Sequence, residues 1–280
     1  MSVAFSLALN RIACPRMPLK EFLPFSASVG IKKVELRNDL PGTSITDNLS
    51  AREVITLCEK WGVSIITINA VQHFNLKSRK DPVREELKRL LDLCVEIRCS
   101  ALVFCPHNDA SDTRSTEQIR AETIEALAEF GELLEKSKIL GLVEPLGFRI
   151  SSLSSAVEAL KMIQASGRSC YKILLDTFHH YLGPDSLKDL GSGVPVSEIG
   201  LVHVSGVEID LPKEKLTDEH RIFPSTHDRM KSKQQLTHLV SKGYAGDVSF
   251  EPFSSEVQGL SPDALKKALE ESMQYLAEKE

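Results

Sequence analysis

The sequence predicts an α/β fold of the (β/α)8 TIM-barrel class, on three observations. Short apolar runs alternate with longer amphipathic segments along the whole chain, as expected for βα units around a parallel sheet. Several of these runs are continuous rather than alternating, among them Leu142-Val143 and Ile173-Leu174-Leu175. Strands covered on both faces read that way. The chain has 280 residues, and a barrel of this kind typically takes about 250, so one barrel domain accounts for residues 1–280.

Taken in order, the expected strands are residues 3–9, 33–36, 64–69, 101–105, 140–144, 172–176, 200–204 and 248–251. Helical periodicity fills the gaps at 51–61, 81–97, 116–136, 155–165, 234–242 and 262–277. The fifth of these helices stops before Gly243, a suitable C-terminal residue. The last begins with Ser261 as N-cap and Pro262 in its first turn. Two stretches, 183–197 and 205–233, exceed ordinary connections. Both follow expected strands, on the face where barrels carry their active sites.

Composition narrows the function. Hydrophobic residues make up 42% and charged residues 26%, with a formal net charge of -5. No broad basic face is legible, which argues against a nucleic-acid partner and favours a small polar molecule. The six cysteines include no Cys-x-x-Cys pair, so reduced core thiols are expected rather than disulfides or a cysteine zinc site. The apolar N-terminal run lacks a preceding Lys or Arg and reads as a buried first strand, not a signal peptide. No apolar run reaches the length of a membrane span. A cytoplasmic location with no membrane partner is the expectation.

The late strands carry the chemistry. Each ends its apolar run in a side chain able to bind metal: LGLV in Glu144, KILL in Asp176, GLV in His203 and VSF in Glu251. A charge at the end of a buried strand must be paired, because desolvating it alone is costly. Barrel strands converge at their C-terminal ends, so three carboxylates and an imidazole would meet there. One divalent cation resolves their repulsion. Such a ligand set suits Mn, Mg, Co or Zn without separating them.

Glu144 after the fifth strand, LDTFH, VHVSG and SFEPF together resemble the xylose-isomerase-like TIM barrel superfamily of sugar isomerases and epimerases. The resemblance covers nearly the whole chain. Through LTDEHRIFP and its spacing to GYAGDVSFEPF it is nearest the inosose isomerases, which interconvert keto-inositols. It implies Glu144, Asp176, His203 and Glu251 as metal ligands, with His179 and Arg221 contacting substrate. It further implies proton transfer through a metal-stabilised enediolate, with Glu144 and Glu251 as the acid–base pair. A keto-sugar 3-epimerase or hydroxypyruvate-type isomerase is the near alternative. Epimerases of this type carry a second glutamate after the strand-five ligand, where this chain has Arg149 and Ile150. The Pro-Gly-x-Gly turn common after the loop arginine is also replaced, by Pro224-Ser225-Thr226-His227-Asp228. Relatives are often dimers or tetramers, which leaves room for a homo-oligomer.

His73 and His107 follow strands three and four. They read either as substrate-contacting pocket residues or, with His227, as a second metal site like that of the endonuclease IV repair hydrolases. Asn10, Glu35, Arg37, Asn69 and Asn108 also fall at strand ends. They either read substrate hydroxyls, as expected foremost for Asn69, or hold the barrel mouth together.

Overall fold

The computed structural model describes residues 5–278. Its strands are β1 (Ser6–Asn10), β2 (Lys33–Arg37), β3 (Ser64–Val71), β4 (Ala101–Phe104), β5 (Leu140–Val143), β6 (Tyr171–Asp176), β7 (Ile199–Val204) and β8 (Asp247–Phe250). They pair in sequence order, all parallel, and β8 closes on β1. The expected start of the first strand, residues 3 and 4, lies outside the described residues. The other strands shift by one or two residues at their ends, and β3 runs two residues further than expected.

Strand side chains alternate between two cores. Ala101, Val103, Leu142, Leu174 and Leu201 fill the barrel interior. Leu102, Phe104, Val143, Ile173, Leu175 and Val202 point outward, into the layer between sheet and helices. A strand repeats its facing every second residue. Glu144, Asp176 and His203 each lie two residues beyond an inward leucine and share its face. Asp176 is also paired in register with His203.

The helices are α1 (Leu19–Ser28), α2 (Ala51–Trp61), α3 (Lys80–Ile97), α4 (Thr116–Ser137), α5 (Ala156–Ala165), α6 (Thr177–Leu182), α7 (Ser232–Ser241), α8 (Ser255–Gln258) and α9 (Pro262–Ala277). Local signals set their ends. Ser50 and Glu53 form a reciprocal capping box at the start of α2, which stops at Gly62 with φ 61°. Ser261 accepts from the Ala264 N–H to cap α9.

Sequence periodicity does not reveal α1, α6 and α8. In α1 the apolar stripe of Leu19, Phe22 and Leu23 is interrupted by Pro24, a residue that ordinarily argues against a helix interior. The other two are too short to show a period.

Of the two long stretches, one departs from expectation and the other follows it. Residues 183–197 do not roof the barrel mouth. Leu190 and Val194 are fully buried in the outer core, Gly193 packs on Val157 of α5, and His238 of α7 meets the Leu190 carbonyl. The stretch takes the place of a helix between α5 and α7. Residues 205–233 do lie at the mouth and are well tied. Gly206 pairs with Ile222, and Asp228 accepts from the N–H groups of Val207, Met230 and Ser232. That carboxylate supplies turn bonding in the loop that departs from the Pro-Gly-x-Gly pattern. All six cysteines are free. No helix among the described residues is long and apolar enough to cross a membrane.

Candidate metal centre and cavity

Glu144, Asp176, His203 and Glu251 come together at the C-terminal end of the barrel. One ligand atom from each lies within 4.8 Å of the others, and all four residues are buried. From His203 Nδ1, Glu251 Oε2 is 2.9 Å away, Glu144 Oε1 3.4 Å and Asp176 Oδ2 4.0 Å. Nδ1 nonetheless makes no hydrogen bond. An orphaned buried nitrogen aimed between three carboxylates is the N,O,O,O donor arrangement that a cation takes. The donor set fits a divalent metal.

Each ligand is placed by its strand and by a second task. Asp176 caps α6: its Oδ1 accepts from the Phe178 N–H at 2.6 Å and the His179 N–H at 3.4 Å. Its Oδ2 is left for the site. Glu144 and Glu251 directly follow β5 and β8, and their own N–H groups bond back to Phe104 and Val204. Glu144 Oε2 meets only the Cys105 thiol, at 3.4 Å.

Glu251 is held far more tightly. Its Oε1 accepts from Arg37 at 2.9 Å and Asn10 at 3.1 Å. Its Oε2 accepts from Arg221 at 2.8 Å, and the same guanidinium nitrogen donates to Asp176 Oδ2 at 2.5 Å. Phe253 sits between both arginines, its ring centroid 5.0 Å from the Arg37 guanidinium carbon and 4.6 Å from that of Arg221. Burial by itself would raise the Glu251 pKa; the charges of His203 and Arg221 outweigh it and hold this carboxyl well below the usual range. Burial dominates at Asp176 and raises its pKa, although Arg221 pulls the other way.

From sequence, a metal is the sole answer to the clustered negative charge. In the structure Arg37 and Arg221 answer part of it. Each is also shared with a further carboxylate, Asp39 and Asp218 respectively. With Glu35, Glu144, Asp176 and Glu251 all buried, the centre still carries an excess of negative charge that a cation would balance.

A cavity of about 310 Å3 opens beside the centre. Arg37, Asn69, His73, Glu144, His179, Arg221 and Glu251 line it, together with Cys105, Phe148 and Phe253. His179 is buried, its Nδ1 has no partner, and its ring packs edge-on against Phe148. His73 and His107 stand with their Nδ1 atoms 3.2 Å apart. His227 is exposed in a turn, and no group of three metal-capable side chains includes it among the described residues. His180 is held by Gln235. Asn69 and Asn10 direct their amides to Glu35, so these two help hold the barrel mouth. Sequence reasoning misses Cys105, Phe148 and Phe253 as cavity residues. Phe253 has one available signal, its place two residues beyond a strand-end ligand.

Fold and centre together define a parallel barrel with a buried cluster of acids and a histidine that could hold a metal. The chain belongs to the xylose isomerase-like TIM barrel family, whose model matches residues 23–279. It is similar to a xylose isomerase domain containing protein from Salmonella typhimurium LT2, at 39% identity and TM-score 0.92, covering 99% of this chain and 100% of that one. It is 26% identical over 215 residues to an inosose isomerase of Halalkalibacterium halodurans, covering 76% of this chain and 75% of that protein. The IOLI protein, whose crystal structure has a bound zinc atom, shares the fold at TM-score 0.87 and 20% identity, over 97% of this chain and 98% of that one.

Proposed function

We propose that this chain is a divalent-metal-dependent isomerase of a keto-inositol or a related keto-sugar. The observation that carries the reading is the placement of two glutamates, Glu144 and Glu251, on one buried centre with Asp176 and the orphaned His203 Nδ1. Relatives named as inosose isomerases support the substrate class. The zinc-binding neighbour supports the cofactor.

A divalent metal held by Glu144, Asp176, His203 and Glu251 would polarise a substrate carbonyl and acidify the neighbouring C–H. Glu144 and Glu251 would then move two protons: one takes the C–H proton and later delivers it to the former carbonyl oxygen, and the other takes the proton of the hydroxyl that becomes the new carbonyl and places it on the adjacent carbon. They are unequal. Glu251 is fixed by Asn10, Arg37 and Arg221, whereas Glu144 meets the Cys105 thiol and, at 3.4 Å, His203 Nδ1. Proton transfer needs a carboxylate able to accept, so Glu144 is assigned the first abstraction. His179, with a free buried nitrogen on the cavity, orients a substrate oxygen. Arg221 keeps Asp176 and Glu251 in place and adds positive charge where negative charge develops. Phe148, Phe253 and the half-buried His73 give the walls for a compact polyol.

A multi-metal repair hydrolase would need a second ligand set. His73 and His107 bring two imidazoles together, but no third His, Cys, Asp or Glu completes a site there among the described residues. The epimerase alternative is weakened by Arg149 and Ile150, which are both exposed.

Solvent deuterium exchange tests the proposal. Incubation with Mn2+ in D2O puts deuterium into 2-keto-myo-inositol, and Glu144→Gln, which removes the base assigned the first abstraction, abolishes that exchange while leaving the fold intact. Absence of exchange with keto-inositols, ketohexoses and hydroxypyruvate alike would remove the isomerase reading. Bound metal near one per chain, rather than three, separates it from the repair hydrolase.

A further inference from the structure

Half of the barrel supplies the metal ligands, from β5 to β8. On the other side, β1 to β3 supply a buried polar relay that meets His203 from behind. Its centre is Glu35, which is fully buried. Glu35 Oε1 lies 3.0 Å and Oε2 3.1 Å from His203 Nε2. The carboxylate is itself fixed: Oε2 accepts from Thr67 at 2.6 Å and Asn69 at 2.9 Å, and Oε1 from Asn10 at 3.3 Å.

We propose that Glu35 is the positioning residue of the metal centre, anchoring His203 through Nε2 so that Nδ1 is the nitrogen presented to the cation. This role rests on the proposed metal centre. The two nitrogens of an imidazole point to different sides of the ring, so a carboxylate bound at one directs the other away from it. Here the direction away is the gap between Glu144, Asp176 and Glu251, where Nδ1 has no hydrogen bond. Turning the ring over about its Cβ–Cγ bond would present carbon to the cation and to Glu35 at once. The Glu35 contact therefore selects the ring orientation as well as the ligating atom.

Glu35 is not itself a ligand. It sits on the far side of the imidazole, and the Asn10 amide stands between it and Glu251, donating to both. Nor does it line the cavity, so it has no route to substrate. Its partners are all donors, which is why a neutral amide is a poor replacement: in Glu35→Gln an NH2 group meets either the Asn69 amide donor or the His203 Nε2–H.

Zn2+ binding by the full-length protein, with long-range 1H–15N spectra of 15N-histidine-labelled protein, tests this. Wild-type protein shows one histidine ligated through Nδ1 with its proton on Nε2. Glu35→Gln lowers Zn2+ affinity about 10–100-fold, the usual effect of losing such a partner, while the metal-free protein stays folded. Thr67→Val, which loosens Glu35 without touching His203, lowers affinity in the same direction by less. Ligation through Nε2, or a Glu35→Gln affinity within about twofold of wild type, overturns the inference. Wild-type protein that binds no Zn2+ instead removes the metal centre itself, so the two failures are distinguishable.

Discussion

Arg221 reaches Glu251 at 2.8 Å with a nitrogen that also holds Asp176. The guanidinium is fully buried and stands between the rings of Phe178 and Phe253. It thus offsets part of the negative charge that the proposed cation would balance. Removing one partner from a buried charge network typically costs about 3–5 kcal/mol, because charges are left uncompensated. Arg221→Gln should therefore destabilise the metal-free protein by about that amount, read from urea unfolding. Saturating Zn2+ should narrow the gap to wild type. An equal loss with and without metal would show that Arg221 and the cation do not share this role.

Metal binding should release a proton. Burial would lower the His203 pKa, but the carboxylates of Glu251 and Glu35 outweigh it and raise it well above the ordinary value. The charged ring stabilises the metal-free fold fully below the unfolded-state pKa of about 6.5. That contribution is lost as pH rises through the raised folded-state value. A ligating imidazole must be neutral, so metal affinity should climb with pH up to that value, with about one proton released near neutrality. Calorimetry in buffers of different ionisation enthalpy reads the proton count. Binding heats that do not depend on the buffer would contradict it.

Gly147 is required by packing. A Cβ there would stand 2.1 Å from the His179 carbonyl oxygen and 2.9 Å from the Gly183 nitrogen, both backbone atoms. Gly147→Ala must push the loop after β5 away from α6. A loss of about 1–3 kcal/mol, as for other overpacking substitutions, is expected, together with a raised KM because His179 moves. Unchanged stability and KM would mean that the approach relaxes freely.

His179→Leu keeps most of the buried volume but removes the nitrogen that has no protein partner. One neutral hydrogen bond to substrate is worth about 0.5–1.5 kcal/mol, so kcat/KM should fall about two- to tenfold. Bound metal per chain should not change. A loss of metal instead would place His179 in the centre rather than at the substrate.

The clustering of Glu144, Asp176, His203 and Glu251 is legible because strand periodicity is local. Leu142 to Glu144, Leu174 to Asp176 and Leu201 to His203 are each one step of two along a buried strand, and the inward leucine points out the face. Arg37 stands in the same relation to Glu35. The helices that escape notice lack a readable period, through Pro24 in α1 and through brevity in α6 and α8. The stretch 183–197 misleads because its length and its place after a strand suggest the active-site face, whereas Leu190 and Val194 anchor it in the outer core.

The barrel class, the strand order and the four side chains at the late strand ends are all written in the linear chain. Period and polarity along a strand depend on neighbouring residues only. Barrel closure, in contrast, supplies whatever stands behind and around those four. Glu35 meets His203 across 168 residues, and Arg37 meets Glu251 across 214. These partners face each other only after β8 closes on β1, and the register of that closure is set by packing of the whole barrel interior, which no local segment encodes.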